Sequence, residues 1–336
     1  MSHPARGAVG RTLAAVSSLD QLTFRAIRRP ADYAGMAALI NDCVAEQGEG
    51  ELTTASTVAT NYAHLQRSDP TKDMMMVVDP HDRLVAYTRV GWNDVSEGYR
   101  AYHIVFHAVS HITGLADRIL EWGIARAREI AAADEHVDRR LVTWSVDGSN
   151  DESAIRSVGG FEPFAWSAVM IRPHLRDIPN AVLPAGVETR PVEDGHLRAI
   201  WESDIEAFRD HHGYVEQDET DWEKFREEAG NGTALWQVAW AGKTVVGQVR
   251  TRVDEAGAEV RGRRRAWTED ISTRREWRRT GIASALIAAS LRQLATRGFE
   301  EAALGVDLDN PTGALGVYER LGYQPVLRVT EYEHRL

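Results

Sequence analysis

Six consecutive residues near the C-terminus, Arg278-Arg279-Thr280-Gly281-Ile282-Ala283, have the composition of an anion cradle. Small residues let a phosphate approach the backbone. The free N–H groups and the dipole of a helix starting there hold negative charge. Arg274, Arg275, Arg278 and Arg279 add positive charge at the same turn. Guanidinium groups can engage phosphate oxygens two at a time, so a diphosphate is the ligand such a turn would take. The same string also suits an ordinary helix start with solvated arginines. The surrounding elements have to decide between the two.

Those elements place the turn at a junction of strands and helices. A strand-like run, Glu269-Asp270-Ile271-Ser272-Thr273, precedes it. Behind it, Ile282, Ala285, Leu286, Ala289 and Leu294 fall on one face of a helix running to about Arg297. A second strand reads Ala302-Ala303-Leu304-Gly305-Val306. Asp309-Asn310-Pro311 opens another helix, with proline at an early position. Its core stripe is Ala314, Val317, Tyr318 and Leu321. By spacing Tyr318 is a packing residue, and its phenolic tip needs a partner when buried. Gly322 suits the helix end before a final strand.

Arg278-x-x-Gly281-x-Ala283, and Asn310 together with Tyr318-Glu-Arg-Leu-Gly-Tyr323, resemble the two signatures of the GNAT N-acetyltransferase superfamily. The resemblance covers the C-terminal half, with alanine at 283 where glycine also occurs. It implies an α/β fold: a mixed central sheet flanked by helices, with two parallel strands splayed apart. It implies acetyl-CoA as cosubstrate and no metal. Backbone N–H groups from Arg279 through Thr280, Gly281, Ile282 and Ala283 would hold the pyrophosphate, with Arg278 beside it. Ile271 and Thr273 would pair with the pantetheine arm as with an added strand. Asn310 would bond the arm further along, and Tyr318 would sit by the sulfur.

That resemblance sets a chemical problem. An acceptor alkylammonium must first lose a proton, which at pH 7 costs about 4–5 kcal/mol. Glu269 lies where related enzymes keep a base, although a solvated strand-end acid reads the same way. Tyr318 is the candidate proton donor to the leaving thiolate. For the acceptor, a small-molecule amine, the candidate residues are His211, His212 and Tyr214, beside Glu216, Asp218, Glu219 and Asp221. The acidic charge suits a cation; a plain polar loop or a metal site fits the same string. Arg261-Gly262-Arg263-Arg264-Arg265 is a basic run that suits an anionic contact or a solvated turn.

The whole chain has 336 residues, enough for two domains. It reads as a tandem repeat of one α/β unit. Residues 1–20 form a mobile leader, 21–176 a first unit, 177–186 a linker rich in turn formers, and 187–336 a second unit. In the first unit the cradle position reads His111-Ile112-Thr113-Gly114-Leu115-Ala116, without the arginines. Aligning Gly160 with Gly322 puts Arg156 at the place of Tyr318. The first unit is therefore expected to be degenerate. This arrangement resembles that of mycothiol synthases and similar tandem acetyltransferases. A non-catalytic acyl-CoA-binding module is the contrasting reading.

Net charge is −11 with a sequence pI near 5.6. That disfavours nucleic acid and anionic membrane as partners. No apolar stretch reaches the length of a membrane span, and Met1–Ser18 lacks the apolar core of a signal peptide. A single cysteine, Cys43, allows no intrachain disulfide and suits a reducing, cytoplasmic setting.

Overall fold

The computed structural model describes residues 18–136, 138–309 and 313–336. The first half runs β1 (Thr23–Arg25), α1 (Tyr33–Gln47), α2 (Ala55–Ala63), β2 (Met74–Val78), β3 (Leu84–Val95) and β4 (Tyr99–Ala108). It continues with α3 (Leu115–Ala132), β5 (Arg139–Val146), α4 (Asn150–Val158) and β6 (Glu162–Arg172). The second half repeats the series: β7 (Val187–Thr189), α5 (Leu197–Phe208), α6 (Glu219–Gly230), β8 (Gln237–Ala241) and β9 (Thr244–Val253). A short α7 (Glu255–Arg261) precedes β10 (Arg265–Thr273). Then come α8 (Ile282–Thr296), β11 (Glu301–Asp307), α9 (Ala314–Arg320) and β12 (Gln324–Arg335).

The expected α/β fold is present, and the sheets of the two halves are one. All twelve strands form a single sheet in the order β1-β2-β3-β4-β5-β12-β6-β11-β10-β9-β8-β7. It is mixed: β4/β5 and β10/β11 are parallel, the remaining pairs antiparallel. The halves exchange their last strands. β12, from the end of the chain, lies against β5 of the first half. β6, from the first half, lies against β11 of the second. Alternating side chains on both strands then serve two cores at once.

Helices cover the sheet because their buried stripes match it. Leu115, Ile119, Leu120 and Ala127 of α3 are buried in the first core with Tyr102 and Ile104 of β4. Leu286, Ile287, Leu291 and Leu294 of α8 do the same in the second core with Ala302 and Leu304 of β11. The leader expected over 1–20 reaches the described residues at Ser18. There Ser18 caps a single helical turn, Leu19–Gln21, and Leu19 packs on the first core. Ile178, Ala181 and Leu183 of the linker pack on the second.

The basic run Arg261–Arg265 is a solvated turn only in its middle, where Gly262, Arg263 and Arg264 are exposed; its two ends are held by carboxylates. It lies where α7 meets the start of β10. Arg261 bonds Asp254 at 2.6 Å. Arg265 is fully buried between Glu301 and Glu49, each at 2.8 Å. The cost of burying a guanidinium is offset by these carboxylates, one of them from the first half. Among the described residues no helix is long and apolar enough to cross a membrane.

Candidate active site

The parallel strands β10 and β11 pair only from Arg265–Trp267 to Glu301–Ala303, then part. A bulge lies just beyond the point where they part. The β9/β10 register slips between Glu269 and Ser272, and Asp270 adopts φ 46° inside the slip. A non-glycine residue pays for that conformation and must be held there. Arg250 of β9 holds it, bonding the Asp270 carboxylate at 3.0 Å and Asp204 of α5 at 2.9 Å. The gap opens into a cavity of about 1040 Å³, lined by β10, β11, the arginine turn and α9.

At one end of the cavity the cradle has the geometry a phosphate needs. Gly281 has φ 91° and a Cβ there would meet nothing within 4 Å. The first helical bond of α8 is Ala285 N–H to the Gly281 carbonyl, 3.0 Å. The N–H groups of Ile282, Ala283 and Ser284 thus have no intrahelical acceptor, and the loop has room beside them. A diphosphate fits this cradle.

Arg278 has other work besides. It bonds Asp210 at 2.7 and 2.9 Å, the Ala207 carbonyl at 2.7 Å and the Thr273 carbonyl at 3.3 Å. The Arg278 guanidinium holds the Asp210 carboxyl down at about 2. Arg278 therefore ties the end of α5 to the turn while still lining the cavity. Arg275 and Arg279 are the more exposed cations of the loop. Ile271 and Thr273 line the cavity from β10. Thr280 is turned back, its hydroxyl bonding the Trp277 carbonyl at 2.6 Å.

Glu269 and Tyr318 both face this cavity. Burial raises the Glu269 carboxyl above its ordinary range, and Arg252 opposes that rise from 3.1 Å. Tyr318 is 7 % exposed, and burial, with Asp307 adding to it, pushes its phenol up to about 12. It stays a protonated donor through the neutral range. Asn310 lies outside the described residues.

Of the three acceptor candidates one lines the cavity. His211 does, 3.8 Å from the Asp307 carboxylate. His212 is half exposed, 3.1 Å from Glu97 and edge-on to Phe164. Tyr214 is buried, and its carbonyl accepts the Ser96 N–H at 2.9 Å. The loop after α5 is thus docked on the β3–β4 turn of the first half.

Sequence reasoning missed the polar row on β9. Gln248, Arg250 and Arg252 alternate, so they share one face of the strand. Gln248 bonds Asp204 at 2.8 Å. Burial raises the Asp204 carboxyl. Arg252 reaches both Glu269 and Glu51 of the first half. The alternation was there to be read; its partners, on other elements, were not.

An open glycine turn at a helix start beside a splayed strand pair, with an acid and a phenol at the gap, is an arrangement that suits group transfer from a phosphate-bearing donor. Comparison with known proteins agrees. Residues 197–323 match the acetyltransferase (GNAT) family. The chain is 27 % identical to the mycothiol acetyltransferase of Streptomyces bingchenggensis over 285 residues, 82 % of this chain and 86 % of that protein. It is 26 % identical to that of Thermobispora bispora over 88 % of this chain and 93 % of the relative. Among solved structures, a GCN5-related N-acetyltransferase from Sphaerobacter thermophilus superposes with TM-score 0.70 at 22 % identity, covering 94 % and 96 % of the two chains. A tandem GNAT protein from the clavulanic acid biosynthesis pathway gives 0.60 at 15 %, covering 94 % and 98 %. Residues 197–323 are thus a GNAT acetyltransferase domain, the chain is an acyltransferase, and its two-half fold is similar to that of tandem GNAT proteins. Acetyltransferases of this family use acetyl-CoA.

Proposed function

We propose that the chain transfers an acetyl group from acetyl-CoA to the primary amine of a small molecule, in a cytoplasmic setting, with the active site in the second half. The observation that carries this reading is the convergence on one cavity of the open Gly281 cradle, Glu269 and the buried Tyr318. Bound there, acetyl-CoA supplies a thioester carbonyl open to direct attack. The backbone N–H groups at 279–283, with the cations of the turn, hold its pyrophosphate. Glu269, its carboxyl raised by burial, takes the proton from the acceptor ammonium, directly or through a water. Tyr318 keeps its proton and offers it at the departing sulfur. His211 and Asp307 sit at the mouth where a cationic acceptor would enter.

A second reading narrows the acceptor to that of the mycothiol acetyltransferases. The shared length, 86 % and 93 % of those two relatives, favours it. Incubation with acetyl-CoA and a panel of amines that includes this acceptor tests both, with acetylated product identified by mass and free CoA by turnover. Acetyl transfer to one amine well above the others is the expected result. CoA release with no acylated amine would overturn the reading.

A further inference from the structure

The first half holds a cavity of about 400 Å³ between α1, α2, β3, β4 and α6. Its origin can be read by setting the halves on one another. The buried positions of α1 (Met36, Ala37, Leu39, Cys43) fall at the same steps as those of α5 (Ile200, Trp201, Ser203, Ala207). Ile40 therefore stands where α5 has Asp204. In the sheet, Ala86 faces Ala108 as Gly247 faces Thr273. Three residues on, Arg89 corresponds to Arg250. Arg89 faces Val105, whereas Arg250 faces Glu269.

In the second half that arginine is neutralised by Asp204 and Asp270. In the first half Ile40 stands at the place of Asp204 and Val105 at that of Glu269, the unbroken register has no counterpart of the bulged Asp270, and the arginine has stayed. Among the described residues Arg89 has no carboxylate within ion-pair distance. The Tyr62 ring centre lies 5.9 Å from its guanidinium. Around it Met36, Ile40, Val58, Leu65 and Val105 supply apolar wall, and Thr53, Asn61, His64 and Gln66 supply polar groups. Lys224 and Asp221 line it from α6, the Asp221 carboxylate being engaged by the Asp218 N–H at 2.9 Å and the Gln66 amide at 3.4 Å. A half-buried cation beside apolar wall, in a space of ligand size, is the arrangement that selects one anionic head on an apolar body.

We propose that this cavity is a second ligand site, separate from the acetyl-CoA cleft, which takes a small monocarboxylate with an aliphatic or aromatic body. The carboxylate pairs with Arg89 and the body fills the space between α1 and α2. Because α6 closes the cavity and α6 packs on α5, the ligand touches both halves. Thr60 of α2 and His64 at its C-terminal cap, each 2.7 Å from Glu227 of α6, hold that closure.

The test uses the full-length chain saturated with acetyl-CoA, so that the first cleft is filled. Hexanoate and phenylacetate are titrated by ligand-observed NMR alongside hexanamide and phenylacetamide. At least one acid is expected to bind saturably and its amide not. Arg89→Met should weaken that acid by about thirtyfold or more, the scale of removing one partner of a desolvated charge pair. Ile40→Asp restores the acid of the second half beside Arg89 and should abolish binding while leaving the fold intact by circular dichroism. No saturable binding of either acid below millimolar concentrations overturns the proposal. So does equal binding of the amides, or unchanged affinity in both variants.

Discussion

The two halves use the same scaffold, and only one of them opens it. Both carry a glycine of positive φ at the head of the helix that follows the fourth strand, 76° at Gly114 and 91° at Gly281. Beyond Gly281 the space is open. A Cβ on Gly114 would lie 3.7 Å from Leu19, because the turn at Leu19–Gln21 packs there. The β3/β4 register runs unbroken from Ala86 to Val95, whereas β9/β10 is broken by the bulge at Asp270. At the position of Tyr318 the first half has Ile155. The expected alignment put Arg156 there, but Arg156 is exposed and pairs with Glu152 at 2.6 Å, while Ile155 is buried as Tyr318 is. The shared fold therefore does not distinguish the halves. A bulge, an uncovered glycine and one hydroxyl do, and a half can lose all three and remain folded.

What the halves do not do is stand apart. β6 makes six register pairs with β11 and nine with β12. Residues 187–336 expressed alone would leave β11 with an open edge of buried residues and strip both partners from β12. The expected outcome is loss of cooperative folding, read by thermal unfolding and limited proteolysis. Coexpression with residues 1–186 should restore it. A folded isolated second half that binds acetyl-CoA would show the halves to be independent after all.

Much of this was legible in sequence and some of it was not, for identifiable reasons. The helix starting after Gly114 and the strand pairs around Asp79–Asp82 and Gly242-Lys243 follow from local periodicity and turn residues. β6 escaped notice, since Pro163 and the small residues Ala165, Ser167 and Ala168 blur its alternation. Strand exchange is a choice of partner, and no local pattern encodes it. The bulge at Asp270 carries no glycine to announce it. Arg265 looked solvent-bound because its partner Glu49 lies more than two hundred residues away.

The second comparison to break is that of the two cradles. Gly281→Glu puts a carboxylate into open space at the proposed phosphate site. Acetyl-CoA affinity should fall tenfold or more, by roughly 1.4 kcal/mol at least, measured by calorimetry on protein checked for folding. Combined with Tyr318→Phe in the full chain, acetyl transfer should drop to background. Substantial remaining activity would mean that the first half catalyses.

Tyr318→Phe alone isolates the hydroxyl. The ring stays in the stripe with Leu321 and Tyr323, so stability should change little. If the phenol serves the leaving sulfur, kcat falls about 10²-fold with acetyl-CoA binding kept. Turnover equal to wild type, under conditions where chemistry limits, would reduce Tyr318 to packing and make it the equal of Ile155.

The smallest effect is the one that joins the halves at the base. Arg252 touches Glu269 on one side and Glu51 of the first half on the other. Arg252 favours the charged form of Glu269, while Glu51 disfavours it. The proposed base acts as carboxylate, so activity is lost as pH falls through its pKa. Removing the cation with Arg252→Met should therefore move the acid limb of kcat/KM to higher pH. Removing the competing acid with Glu51→Gln leaves Arg252 wholly to Glu269 and should move the limb to lower pH. Both variants should approach the wild-type rate on the alkaline side, where Glu269 is ionised in all three. Opposite displacements from two residues on opposite halves are not what a general loss of packing would give. Limbs that stay together, or move in the same direction, would remove Glu269 from the role of base and leave the Glu51–Arg252 pair as a clasp between the halves.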